Sequence, residues 1–92
     1  MPGSAVTVTV TLYRAQGCHL CELAGTKLRE LQDELGFELD EVDITGDEEL
    51  EERYRERIPV VEIGDDVVCT YYVQADPFRR RVAQAQSRDE SL

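Results

Sequence analysis

Val6, Val8, Val10 and Leu12 alternate with Thr7, Thr9, Thr11 and Tyr13, a strict period of two in β-favouring residues that predicts a strand. A central parallel strand is usually apolar on both faces, so the threonine face points to thinner cover on that side. From about Cys18 to Leu35 the period changes. Leu20, Ala24, Leu28, Leu31 and Leu35 recur every three or four residues, a single apolar stripe along a helix, and Gly36 follows as its left-handed cap. A second strand is expected from Phe37 to Ile44, its outer edge made acidic by Glu38, Asp40 and Asp43, which discourages pairing with other chains.

Thr45-Gly46-Asp47-Glu48 reads as a capping box, with Thr45 as N-cap of a short helix to about Arg55 anchored by Leu50 and Tyr54. That helix must stop before Pro59, which pushes Ile58 out of the helical region. Val60–Ile63 and Val67–Tyr72 flank the turn cluster Gly64-Asp65-Asp66 and predict an antiparallel hairpin. In its second strand Tyr71 and Tyr72 point to opposite faces, so one is expected in the core; Tyr13 and Tyr54 are expected in core or rim packing. Asp76-Pro77 then suggests N-cap and first position of a last helix, with Phe78, Val82 and Ala85 as its apolar side. The Arg79-Arg80-Arg81 run on it reads as a solvated face. The order is β-α-β-α-β-β-α, whose first half is a parallel βαβ unit and whose second half contributes the hairpin. One domain is expected over residues 5–86, between a flexible N-terminus (1–4) and a flexible tail (87–92).

The candidate chemistry lies where the first strand meets the first helix, in Cys18-His19-Leu20-Cys21. A sulfur in the first turn of a helix faces unpaired N–H groups and the positive end of the helix dipole, both of which favour the thiolate. Cys21, one turn on, lies on the same side and can reach back to close a disulfide. His19 as a cation would lower the Cys18 pKa, and as a neutral base would move a proton during exchange. Cys69, among Val67, Val68, Tyr71 and Tyr72, reads as a small buried hydrophobe. Tetrahedral zinc needs four ligands, and no second cysteine pair or histidine completes a shell around Cys18, Cys21 and His19, so no metal is assigned within one chain; two chains sharing a cluster stays open.

With 92 residues the chain is of single-domain size, and its formal charge of −10 argues against nucleic acid and anionic membrane as partners. Most of the acid falls between Asp33 and Glu56, read as a solvated surface. No apolar run approaches the roughly 18 residues of a membrane span, and Met1-Pro2-Gly3-Ser4 does not open a signal peptide, so a cytoplasmic location is expected. There a cysteine pair at this spacing more often means catalysis or metal than a structural staple.

A strand leading into Cys18-His19-Leu20-Cys21 at the head of a helix, with Ile58-Pro59-Val60 entering a hairpin, resembles the thioredoxin fold, and the short leading segment resembles its glutaredoxin-like branch, in particular the short bacterial glutaredoxin-like proteins. The resemblance covers roughly Val6 to Tyr72. It implies an α/β fold with a four-stranded mixed sheet of order 2-1-3-4 and helices on both faces. It also implies a small thiol–disulfide oxidoreductase in which Cys18 attacks and Cys21 resolves. Pro59 would follow a cis peptide bond and pack beside the sulfurs, and with Ile58 would position substrate. His19 and Arg14, the nearest cation before the pair, would tune the thiol. The chain departs from glutathione-using members in three places: His19-Leu20 replaces a dipeptide containing proline, Ala15 stands where a lysine is usual, and Val73-Gln74-Ala75-Asp76 replaces a Gly-Gly-x-Asp turn. No cofactor is therefore assigned, and glutathione use stays open. The implied partners are a disulfide-bearing protein or small thiol and an unidentified thiol donor, acting on a monomer. The alternative is a non-catalytic thioredoxin-fold adaptor, or a metal or iron–sulfur module using the same cysteines.

Overall fold

A computed structural model describes residues 8–90, with side chains through Gln86. The expected N-terminal segment 1–4 and the first two residues of the predicted leading strand lie outside the described residues. Among the described residues the order is β1 (Thr9–Arg14), α1 (His19–Leu35), β2 (Glu38–Asp43), α2 (Glu48–Tyr54), β3 (Val60–Ile63), β4 (Asp66–Thr70) and α3 (Ala75–Glu90). The sheet runs β2-β1-β3-β4, as expected. β1 and β2 are parallel, with Thr9 opposite Glu38, and β3 is antiparallel to both β1 and β4.

The two faces of β1 set the layers. Val8, Val10 and Leu12 point to one side, where they join Leu28 and Leu31 of α1, Phe78 and Val82 of α3, and Val61 and Ile63 of β3 in the main core. Phe37 meets Phe78 edge to face with ring centroids 5.6 Å apart, which ties the start of β2 to α3. Arg79 adds a surface clamp, donating twice to Glu34 of α1 at 2.7 and 2.9 Å, so this member of the arginine run is paired. The other face carries Thr9 and Thr11 and is covered at one end only, by α2. There Ile44, Tyr54 and Val60 make a second, smaller core with Tyr13, Ala15, Leu50 and Ile58 around it. The thinner cover expected on the threonine side is what α2, only seven residues long, provides.

α1 ends as its sequence predicts: Gly36 adopts φ 79° and its N–H donates to Gln32 O at 2.8 Å. Three other expectations are corrected. Thr45 does not cap α2. Gly46 turns left-handed, and Asp47 becomes the N-cap, accepting from Leu50 N–H at 3.1 Å. Glu51 reaches back to Gly46 N–H at 2.7 Å, while Thr45 N–H is spent on Asp43 Oδ1 at 2.8 Å, which holds the Asp43 carboxyl below its ordinary range. Asp76 does not cap α3 either. The helix already begins at Ala75, Phe78 N–H donates to Gln74 O, and the Asp76 carboxylate accepts from Arg79 at 2.8 Å. α3 runs to Glu90, and residues 91–92 of the expected tail lie outside the described residues. Thirdly, neither Tyr71 nor Tyr72 enters the core, because β4 stops at Thr70 and Tyr71 turns left-handed at φ 68°.

The revised cap is separable by mutation. Asp47→Ala is expected to lower stability by about 1 kcal/mol. Thr45→Ala should stay within about 0.5 kcal/mol, as its side chain caps nothing. Urea midpoints of the two variants check this; equal losses would return the cap to Thr45.

Candidate functional site

β1 ends at Arg14, and three residues then carry the chain to the head of α1. Gly17, at φ 77°, makes the left-handed turn that a side-chain-bearing residue would adopt only with strain. Cys18 follows as the N-cap, with extended backbone and its Sγ accepting from Cys21 N–H at 3.1 Å. Cys18 and Cys21 form a disulfide with Cα atoms 5.2 Å apart. The two sulfurs differ in access: Cys18 is half-buried, whereas Cys21 is fully buried under α1. His19 occupies the first, exposed position of the helix, beside the acidic Glu22.

β3 brings the second part. Val60 pairs with Tyr13, so Pro59 lies level with the end of β1, at the sheet edge from which the cysteine turn departs. Pro59 is fully buried and the Ile58–Pro59 peptide bond is cis. Ile58 turns its side chain into the smaller core. Its N–H is already donated to Tyr54 O at 3.1 Å, so only its carbonyl remains free of that turn.

Arg14 is held by an ion pair. It lies on the core face of β1, donates to Glu41 Oε1 at 2.8 Å, and passes over Gly25, two turns of α1 beyond Cys18. Arg29 donates to the other oxygen of Glu41 at 2.9 Å. Gly25 leaves the space for this trio: a Cβ there would stand 3.3 Å from Arg29 Nη1 and 3.7 Å from Arg14 Nη1. The pattern that could have revealed it is the alternation of β1, which puts Arg14 on the same side as Val10 and Leu12.

A second cluster went unread. Tyr13 and Tyr54 stack with centroids 4.4 Å apart, and both hydroxyls donate to Glu62, at 3.4 and 2.8 Å. Glu62 is the one polar residue in the β3 run Val60–Ile63, and that interruption was its only signal. Burial, together with the adjacent Glu62 charge and the hydrogen bonds to it, holds both phenols above their ordinary range. Cys69 packs against the main core, and burial likewise raises its thiol pKa. Among the described residues no three His, Cys, Asp or Glu side chains gather as a metal site. Asp76, the acidic residue left from the altered Gly-Gly-x-Asp turn, is paired with Arg79.

A family model described as glutaredoxin-like domain (DUF836) matches residues 9–83. The chain belongs to this family. Among solved structures this glutaredoxin-like domain is similar to protein Ne2328 from Nitrosomonas europaea, at 32% identity and a TM-score of 0.74, covering 88% of this chain and 98% of that one. It shares its fold with thioredoxin-2, a component of the malaria parasite protein secretion machinery, at 20% identity and a TM-score of 0.64 over 85% of this chain and 82% of that one. The same holds for the thioredoxin of Fasciola hepatica, at 20% identity and a TM-score of 0.57 over 88% and 83%. No curated protein matches the chain. The thioredoxin-like fold and the Cys18–Cys21 pair together support a redox-type function.

The tyrosine pair predicts an alkaline weakening. A phenol with a raised folded-state pKa keeps its proton where the unfolded one loses it, so stability is complete below about pH 10 and falls as pH rises through the folded pKa. Urea midpoints at about pH 9 and about pH 10.5 should show a drop that shrinks in a Tyr13→Phe, Tyr54→Phe double variant. An equal drop in both proteins would remove the pair as its source.

Proposed function

We propose that this protein is a small thiol–disulfide oxidoreductase in which Cys18 attacks and Cys21 resolves. The carrying observation is the unequal exposure of a bonded pair: Cys18 half-buried at the mouth of α1, Cys21 sealed beneath it. In the reduced protein the Cys18 sulfur stays where the Cys21 N–H and the helix N-terminus favour the thiolate. The thiolate attacks one sulfur of a substrate disulfide, releasing the other as a thiolate and leaving a mixed disulfide. Cys21, having lost its proton, then attacks Cys18 Sγ, forms the Cys18–Cys21 disulfide and expels the second substrate sulfur. Two electrons pass to the substrate, and an external dithiol or two monothiols must return them.

Pro59 and the free carbonyl of Ile58 line the approach, where the carbonyl accepts from a substrate N–H. Thiol tuning falls to the helix terminus and exposed His19, because Arg14 is engaged by Glu41. Disulfide-bearing proteins or small disulfides met in the cytoplasm are the proposed substrates, and a monomer suffices for both steps.

The test is the reduction potential of the pair, from equilibration in defined thiol/disulfide buffers read by mass. A two-electron transition between roughly −270 and −120 mV is expected. A pair that never closes in any buffer overturns the proposal in favour of a binding module. Cys18→Ser should reduce disulfide turnover to the uncatalysed level, while Cys21→Ser should accumulate the mixed disulfide. Cys69→Ala should leave the potential unchanged, as its sulfur is packed against the core.

A further inference from the structure

Tyr71 stands apart from every other described non-glycine residue in its backbone, with φ 68° in the left-handed region that a bulky side chain adopts at a cost. The conformation is held by two hydrogen bonds to a single loop. Tyr71 N–H donates to Pro59 O at 2.9 Å, and the Tyr71 hydroxyl donates to Glu56 O at 2.8 Å. The residue thus spans the loop from Glu56 to Pro59 and holds it at both ends. The residue remains 44% exposed and, with Tyr72, borders an open groove of about 300 Å³ also lined by Leu20 and Leu23 of α1. Leu20 belongs to the Cys18–Cys21 segment itself. Tyr71 therefore stands between the dithiol helix and the loop that carries Ile58 and Pro59.

We propose that Tyr71 is a positioning residue for exchange with polypeptide disulfides, a strap that keeps the Glu56–Pro59 loop in register with Cys18. The proposal rests on the oxidoreductase reading above. A substrate chain that accepts its alignment from the Ile58 carbonyl depends on where that loop stands. A small disulfide reaching only the Cys18 sulfur does not. Removing the hydroxyl frees the Glu56 end and leaves the thiol chemistry untouched, so the effect divides by substrate size.

Chemically reduced protein in a single turnover needs no electron donor, so the first attack can be timed directly. Insulin serves as the polypeptide disulfide and bis(2-hydroxyethyl) disulfide as the small one. Tyr71→Phe is expected to slow the reaction with insulin about fivefold, the loss of one hydrogen bond, with the small disulfide and the pH profile of the attacking thiol unchanged. Amide exchange supplies a readout independent of activity. The N–H groups of Arg57 and Ile58, both donated to Tyr54 O, should exchange about fivefold faster in the variant, while those of α1 do not change. Equal slowing with both disulfides, or slowing with neither, overturns the positioning role. Unchanged exchange at Arg57 and Ile58 overturns the strap itself. A wild-type protein that reduces neither disulfide overturns the oxidoreductase reading and the strap's part in catalysis with it, whereas the exchange result still reports on the hydrogen bond.

Discussion

Everything at the site depends on how α1 lies on the sheet. Its stripe of Ala24, Leu28 and Leu31 has one place to go, the apolar face of β1 made by Val8, Val10 and Leu12. Burying a side chain of that size is worth about 1.5–3 kcal/mol, and no other face of this small sheet offers comparable cover. Once the stripe is seated, the head of α1 must stand at the end of β1, and the turn through Gly17 is the short way to reach it. Cys21, three residues past the cap, is carried into the buried layer. Cys18 is left at the boundary with solvent. The asymmetry of the two sulfurs is thus a consequence of core packing.

The opposite face obeys a different logic. α2 is too short to cover it with apolar contacts alone, and the Tyr13–Tyr54 stack on Glu62 supplies a polar anchor among them. That anchor also sets the far end of the loop leading to Pro59, because Tyr54 O accepts both Arg57 and Ile58 N–H. Tyr71 grips the same loop from the β4 side. Two tyrosines on opposite flanks therefore hold the segment that stands beside the dithiol.

The acidic character of the chain is distributed with some economy. Arg14 and Arg29 share Glu41, and Arg79 serves Glu34 and Asp76. These exposed pairs contribute little each, roughly 0–1 kcal/mol, but they engage several of the basic side chains. Arg14 is among them, engaged by Glu41. The N-terminus of α1, fixed by the backbone, stays beside Cys18.

Much of the fold was legible along the chain because periodicity is a local record of which face is buried. The alternation of Val8, Val10 and Leu12, the leucine stripe of α1, the Gly36 cap and the hairpin across Gly64 all held. So did the cysteine pair at a helix head, since strand, turn and helix there are contiguous. What failed was decided by groups distant in sequence or by competing local bonds. Thr45 was expected to cap α2, but Gly46 turns left-handed and Asp47 takes the role, while the Thr45 N–H goes to Asp43. Tyr71 left the strand because a partner for its hydroxyl lay fifteen residues earlier, at Glu56. The Arg14–Glu41 pair, twenty-seven residues apart, could not be read locally either, since its register exists only once β1 and β2 have paired. Spacing along one element determines which side chains share a face. Which of them meet across elements is settled by packing, and no local pattern carries that information.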